Sequence, residues 1–255
     1  MKILFIGDIF GRPGRNVLKE CLPEVCGKYH PDFIIANAEN AAGGKGLTTG
    51  IADELFKIGI DVITLGDHAW DRKDVLKIIE DERILRPLNL PAGCPGHGKG
   101  FYEKGKEKLC VVSLLGRTFI ERPLDCPFQA VAKETFDVPA IVDFHAEATS
   151  EKIAMKWFLA GRVSALIGTH THIPTDDAEI VDGTAYITDC GMTGPYDSVI
   201  GIDKNIILKR FLTGFPARFE VAEGDLQFHG VFVEIEEKKA VKIQTVKMKG
   251  TGGGT

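Results

Sequence analysis

The residues best suited to chemistry in this sequence are carboxylates and imidazoles that each follow a short apolar run. Asp8 follows ILFIG, Glu39 and Asn40 follow FIIANA, Asp67 and His68 follow VITLG, His145 follows IVDF, and His170 and His172 follow ALIG. Four of the seven histidines fall in this set. Taken singly, such a residue caps a helix or hydrogen-bonds within a loop. Taken together they need another explanation, because Asp8, Glu39 and Asp67 brought to one place with several imidazoles would repel and lose hydration unless cations neutralised them. Oxygen and nitrogen donors without thiolate suit iron, manganese, zinc, cobalt or nickel. A donor count near seven is enough for two divalent ions that share a bridging carboxylate.

These residues can meet only if the runs before them are strands whose carboxyl ends share one edge, where ligands bind in sheets with parallel strands. The strand candidates are Lys2–Gly7, Phe33–Ala38, Asp61–Leu65, Leu109–Leu115, Ala140–Phe144 and Val163–Ile167, apolar on both faces as buried strands are. Helical spacing occupies Arg15–Tyr29, Thr49–Ile58, Arg72–Glu80 and Ser150–Ala160, with Pro23 expected to kink or divide the first. Beyond them, Tyr186–Thr188, Arg218–Val221, Gln227–Ile235 and Val241–Met248 read as strands, the last ones in antiparallel hairpins, with one helix at Asn205–Leu212. No linker divides the chain. It reads as one domain over 1–249 with a flexible Gly-rich tail over 250–255.

Composition narrows the partners. The 255 residues are 44% hydrophobic and 26% charged, and Lys plus Arg at 31 against Asp plus Glu at 36 gives a net charge of −5. That balance argues against a dedicated binder of long nucleic acid or of anionic membrane. No apolar run approaches the ~18 residues of a transmembrane helix, and the N-terminus lacks a secretory pattern, so a cytoplasmic location with reduced thiols is expected. Cys94 and His97 form a lone C-x-x-H in a Gly/Pro loop, which reads as incidental rather than as a zinc site. Three further segments stay open. Ala42–Gly46 is either a turn or a phosphate-binding loop, Gly116-Arg117-Thr118 either surface or ligand contact, and Gly191–Gly201 borders either substrate or an oligomer contact.

In order, Gly7-Asp8, Glu39-Asn40 in NAEN, Gly66–His68, DFHAEAT and Gly168–His172 resemble the blocks of the calcineurin-like metallophosphoesterases. The stretches IGDIFGRPGR, NAENAAGGKGLT, HAWD, GRTF, DFHAEATSEK, GTHTHIPTDD and ITDCGMTGPYDSVIG are similar to the YmdB family of bacterial cyclic-nucleotide phosphodiesterases, over nearly the whole chain. This resemblance implies an α/β fold, a four-layer αββα sandwich of two mixed β-sheets. It also implies a ligand set: Asp8, Glu39 and His172 on one metal with Asn40 adjoining, and Glu39, Asp67, His145 and His170 on the other, with iron or manganese favoured. His68 matches the family's catalytic histidine. Phe10 stands where the wider superfamily has a second D-x-H ligand, Glu39 replaces its bridging Asp, and Asp67 replaces the Asn usual in the G-N-H block.

The expected activity is hydrolysis of small nucleotide phosphodiesters, with 2′,3′- or 3′,5′-cyclic nucleotides implied by the resemblance. A metal-bridging hydroxide would attack in line while His68 acts as general acid. Two alternatives share the same centre: a general phosphomonoesterase, and a metal-loaded nucleotide-sensing regulator with little turnover. A homo-oligomer is left open.

Overall fold

The computed structural model describes residues 1–251. The first half of the chain comprises β1 (Lys2–Ile6), β2 (Asp8–Ile9), α1 (Gly11–Tyr29), β3 (Phe33–Asn37), α2 (Thr49–Lys57), β4 (Val62–Thr64), β5 (Ile84–Leu85), β6 (Lys99–Lys104) and β7 (Glu107–Leu115). The second half comprises α3 (Pro127–Ala132), β8 (Ala140–His145), α4 (Thr149–Leu159), β9 (Ala165–Thr169), β10 (Glu179–Val181), β11 (Thr184–Ile187), β12 (Met192–Pro195), α5 (Lys204–Thr213), β13 (Leu226–Glu236) and β14 (Lys239–Lys249). One sheet runs β2-β12-β13-β1-β3-β4-β5, with β14 also paired to β13; the other runs β10-β11-β9-β8-β7-β6. Both are mixed. Strands β1, β3, β4 and β5 are parallel, as are β7, β8, β9 and β11, while β13, β14, β6 and β10 run antiparallel to their neighbours.

Strand periodicity of two sorts the apolar residues into layers. Along β1, Ile3 and Phe5 point between the sheets, where they join Ile35, Val62, Val111, Ile141, Ile167 and Val231. Leu4 and Ile6 point the other way, onto Val17, Leu18 and Leu22 of α1 and Leu55 of α2. The second sheet turns Val112, Leu114 and Phe144 outward onto Met155 and Leu159 of α4. Helix, sheet, sheet, helix is therefore the layer order, as the resemblance implies.

Several local expectations are corrected. Helix α1 is not divided at Pro23; it runs continuously from Gly11, its buried face of Val17, Leu18, Cys21, Leu22 and Val25 outweighing one lost backbone hydrogen bond. The segment expected to be helical at Arg72–Glu80 forms only a 3₁₀ turn at Lys73–Lys77. Its side chains are tied to neighbouring loops instead: Arg72 donates to the carbonyls of Lys45 and Ala42, and Asp74 accepts from the Thr49 N–H. Arg218–Val221 is not a strand and makes a single bridge, Val221 to Ile202. Hairpin strand β6, KGFYEK, is too polar to stand out by apolar periodicity. All six cysteines are free. Of the expected tail, Gly250 donates to the Leu226 carbonyl and Thr251 to Glu20, and 252–255 lie outside the described residues. Among the described residues no helix is long and apolar enough to cross a membrane.

One buried histidine makes the fold pH-sensitive. His229 on β13 is 3% exposed, stacks on Tyr196 at 4.7 Å and lies 3.1 Å from the Gln227 side-chain oxygen. Burial, helped by Lys247, pushes its pKa down to about 4. The unfolded chain takes up that proton near pH ~6.5 and the native one does not until lower pH, so stability is full above pH ~6.5 and falls on acidification. Denaturant titrations of His229→Gln are expected to lose about 2 kcal/mol less than the parent between pH ~6.5 and ~4.5. Equal losses would show that another group sets the acid limb.

Candidate metal centre

The parallel strands of both sheets end at a common edge, and the chemically capable residues sit there. Asp8 lies two residues past β1, Glu39 and Asn40 follow β3, Asp67 and His68 follow β4, His145 ends β8, and His170 and His172 follow β9. All are brought together. His145 Nε2 lies 2.9 Å from Glu39 Oε1, 3.3 Å from Asp67 Oδ1 and 2.9 Å from His170 Nδ1. Ligand atoms of Glu39, Asp67, His145 and His170 all fall within 4.8 Å of one another. A second group adjoins it through Glu39: the Asn40 amide nitrogen is 3.3 Å from each of Asp8 Oδ1, Glu39 Oε1 and His172 Nε2. The donor group of Asn40 thus occupies the point on which three acceptors converge.

Electrostatics set this cluster apart from an ordinary buried network. Asp8 and Glu39 are buried and the Asp67 side chain is 15% exposed, yet their only ion-pair partners among the described residues are imidazoles. Burial alone would push His145 down, but Glu39, Asp67 and Asp8 around it hold its pKa well above the ordinary histidine value. Burial would likewise raise the Asp67 carboxyl, and His145 and His170 hold it well below the usual carboxylate range. Its Oδ1 is nonetheless buried without a hydrogen bond, since the two imidazole nitrogens approach at 3.3 Å without the necessary alignment. An orphaned carboxylate oxygen, a surplus of negative charge and mixed O/N donors fit a divalent cation. Gly66 leaves the room: a Cβ there would lie 2.3 Å from His145 Cδ2 and 2.4 Å from Glu39 Oε2.

The imidazoles are oriented from behind. Thr169 donates to Asp143 at 2.6 Å and its oxygen lies 2.9 Å from His145 Nδ1, so Nδ1–H is directed at Thr169 and Nε2 faces the cluster. Asp143 is fully buried, also accepts from Asn37 and Thr64, and is pushed up to about 6 by that burial. His172 Nδ1 faces the Ile200 carbonyl at 3.0 Å, which turns Nε2 inward, and His170 Nε2 lies 3.1 Å from Glu147. His170 and His172 hold positive φ of 95° and 66°. Each such residue costs about 1–3 kcal/mol. The loop is held against that strain by Asp8, which accepts from the His170 N–H, and by buried Asp189, which accepts from the Thr171 N–H and hydroxyl and pairs with buried Lys152.

His68 stands apart from the donor cluster. Its backbone N–H donates to Glu39 Oε2 at 3.0 Å, its Nδ1 lies 3.0 Å from Asp71 Oδ2, and its ring borders a cavity of about 470 Å³ with Asn40, Lys45, Glu147, His170 and Phe219. Arg122 holds the other oxygen of Asp71 at 3.3 Å. Asn37, Asp71, Asp143 and Thr169 each lie inside a motif around the ligand candidates, but residue type and spacing alone do not mark them as the groups that orient the imidazoles. Of the open segments, the Lys45 loop lines the cavity, as does Ile200, whereas in Gly116-Arg117-Thr118 the Arg117 and Thr118 N–H groups donate to Glu151 and the Gly116 N–H to the His145 carbonyl.

Comparison with known proteins identifies relatives over nearly the whole chain. The chain is 49% identical over 255 residues to the 2′,3′-cyclic-nucleotide 2′-phosphodiesterase of Bacillus subtilis strain 168, covering 96% of each chain. It is similar to the crystal structure of a hypothetical protein from Thermus thermophilus, with a TM-score of 0.92 at 44% identity over 98% of this chain and 99% of that one. A novel phosphatase from Mycoplasma pneumoniae superposes with a TM-score of 0.92 at 37% identity, covering 98% of this chain and 93% of its own. The family model described as YmdB-like protein matches residues 4–246, and with that span and these identities the chain belongs to the family of YmdB-like proteins.

Proposed function

We propose that this chain hydrolyses small nucleotide phosphodiesters, 2′,3′-cyclic nucleotides foremost, in a cleft that holds two divalent metal ions. At the level of class it is a phosphoric diester hydrolase. The observation that carries the reading is the carboxylate cluster of buried Asp8 and Glu39 and half-buried Asp67, which has no Lys or Arg ion-pair partner among the described residues. Asp8, Glu39 and His172, with Asn40 beside them, would hold one ion; Glu39, Asp67, His145 and His170 would hold the other. Iron or manganese suits this donor set best, with zinc, cobalt and nickel compatible. When bound, such ions polarise phosphoryl oxygens and lower the pKa of coordinated water.

The chain's own residues then supply proton handling and position. With Nδ1–H directed at Asp71, His68 turns Nε2 toward the cavity, where it can hold a proton and deliver it to the departing ribose oxygen. An alkoxide leaving group needs that proton more than an activated aryl oxide does. Elemental analysis of purified protein together with a cyclic-nucleotide panel tests the whole reading. Metal-dependent release of nucleoside monophosphate is expected; protein that binds no metal, or metal-loaded protein that cleaves no diester, would overturn it. Faster cleavage of mono-aryl than of bis-aryl phosphate would indicate a monoesterase.

Three variants separate the roles. His68→Ala should retain its metal while losing about 10²–10⁴-fold in turnover of cyclic nucleotides and far less on bis-aryl phosphates. Equal losses on both would make His68 a positioning residue. Gly66→Ala should lower the bound metal well below the parent's content with the circular dichroism spectrum kept, because its methyl group fills the space between His145 and Glu39; full metal content would contradict that cradle. Asp67→Asn removes one negative charge from the centre. It should give up metal to a chelator faster, shift the pH–rate profile to lower pH and raise turnover at saturating metal. An unchanged profile with unchanged chelator resistance would show that the Asp67 charge does not govern the centre.

A further inference from the structure

A second cavity of about 480 Å³ opens beside the first and is lined by Gly43, Gly44, Lys45, Asp71, Arg72, Ile202 and Phe219. The two share Gly44, Lys45, Ile202 and Phe219, so these residues form a neck between a compartment at the carboxylate cluster and a compartment away from it. Both walls of the outer compartment are built. On one side Arg72 donates to the Lys45 and Ala42 carbonyls, at 3.0 and 2.7 Å, and pins the glycine loop. On the other, the Val221–Ile202 bridge and the Asp203 N–H to Glu220 carbonyl bond hold Phe219 beside Ile202. Phe219 is 40% exposed, and the Arg210 guanidinium lies over its ring at 5.1 Å from the centroid.

The charges decide what this compartment can take. Lys45 has no ion-pair partner among the described residues and stands at the neck, within the lining of both cavities. Farther out, Arg72 turns Nε and one terminal nitrogen to loop carbonyls, and the Asp71 carboxylate, already paired with Arg122, borders the space, so this wall offers a second phosphate few free donors. A flat, uncharged aromatic group meets no such penalty and gains a ring to stack on.

Given phosphodiester hydrolysis in the inner compartment, we propose that the outer compartment is the nucleobase subsite, with Phe219 stacking the base beside Ile202 and Lys45 steadying the ribose phosphate at the neck. Stacking accepts any base because every base has a π-face, so recognition here distinguishes nucleoside esters from simple diesters rather than one base from another.

Steady-state kinetics of the metal-loaded enzyme test this with adenosine 2′,3′-cyclic phosphate and its base-free counterpart, methyl ribofuranoside 2,3-cyclic phosphate. The parent should favour the adenosine substrate. Phe219→Ala should lower the ratio of the two kcat/KM values roughly 5- to 150-fold, mainly through KM for the nucleotide, and Phe219→Tyr should restore it. Lys45→Ala should weaken both substrates and leave the ratio near the parent's. A ratio unmoved by Phe219→Ala, or losses shared equally by both substrates, would overturn the subsite. Should the parent cleave neither substrate, the hydrolase reading fails by itself. The subsite is then judged by equilibrium binding of adenosine 3′-monophosphate against ribose 3-phosphate, where a Phe219→Ala loss confined to the adenosine ligand upholds it and an equal loss, or none, overturns it.

Discussion

Three carboxylates gathered at one point, two of them buried and one half-buried, with no Lys or Arg ion pair among the described residues, are the constraint around which this molecule is arranged. Each of Asp8, Glu39 and Asp67 carries a charge whose isolated burial costs several kcal/mol, and their mutual repulsion adds to it. Proteins ordinarily meet such a cost with Arg or Lys. Here the Lys and Arg ion pairs lie elsewhere: Lys152 is spent on Asp189, Arg15 on Glu54 and Arg122 on Asp71. Imidazoles and one carboxamide take the position of cationic partners around the cluster, which is the arrangement that leaves lone pairs available to metal.

Holding acceptors that close together requires the scaffold to be rigid where the acceptors are attached, and both sheets contribute to that. Asp8, Glu39 and Asp67 come from strands of one sheet, and His145, His170 and His172 from strands of the other, so the apolar layer between the sheets fixes the spacing across the cluster. Beneath it, Asn37, Thr64 and Thr169 all converge on Asp143, and this knot crosses from one sheet to the other. The His170–His172 turn would relax from its positive φ values if released, and Asp8 and Asp189 oppose that by accepting its backbone N–H groups. Asp8 therefore both belongs to the acceptor cluster and anchors the loop that completes it.

What could be read in the sequence follows from the same physics. Strands buried on both faces announce themselves as unbroken apolar runs, so β1, β3, β4, β7, β8 and β9 were legible, and a polar residue directly after such a run stands out against it. Edge strands such as β6 carry polar side chains and do not. The segment after His68 misled for another reason: Val75, Ile78 and Ile79 have helical spacing, but Arg72 and Asp74 reach sideways to the loops at Ala42, Lys45 and Thr49, contacts that leave no trace in periodicity. The residues that orient the histidines were visible as letters and invisible as roles. A Thr or Asn beside a ligand candidate carries no sign of whether it faces that ligand until the strands are registered against each other.

Phe10 shows how the cluster was adapted rather than merely assembled. By the motif resemblance, it stands where the metallophosphoesterase pattern would have a second ligand, and its ring lies edge-on to His172 at 5.4 Å and 75°. Gly44 and Gly201 make room for it, since a Cβ on either would come within 2.9 and 2.6 Å of ring carbons. An apolar ring there removes a donor from the Asp8–His172 side while Asp67 adds a charge on the His145–His170 side. Under the proposed function the two positions are then unequal: each group has two carboxylates, but Glu39, Asp67, His145 and His170 bring two imidazoles and four ligand atoms within 4.8 Å of one another, and that position is the one that should fill first. Gly44, which admits the Phe10 ring, also lines the neck to the outer compartment, so the loop that packs on Phe10 is shared with the surface on which substrate would rest.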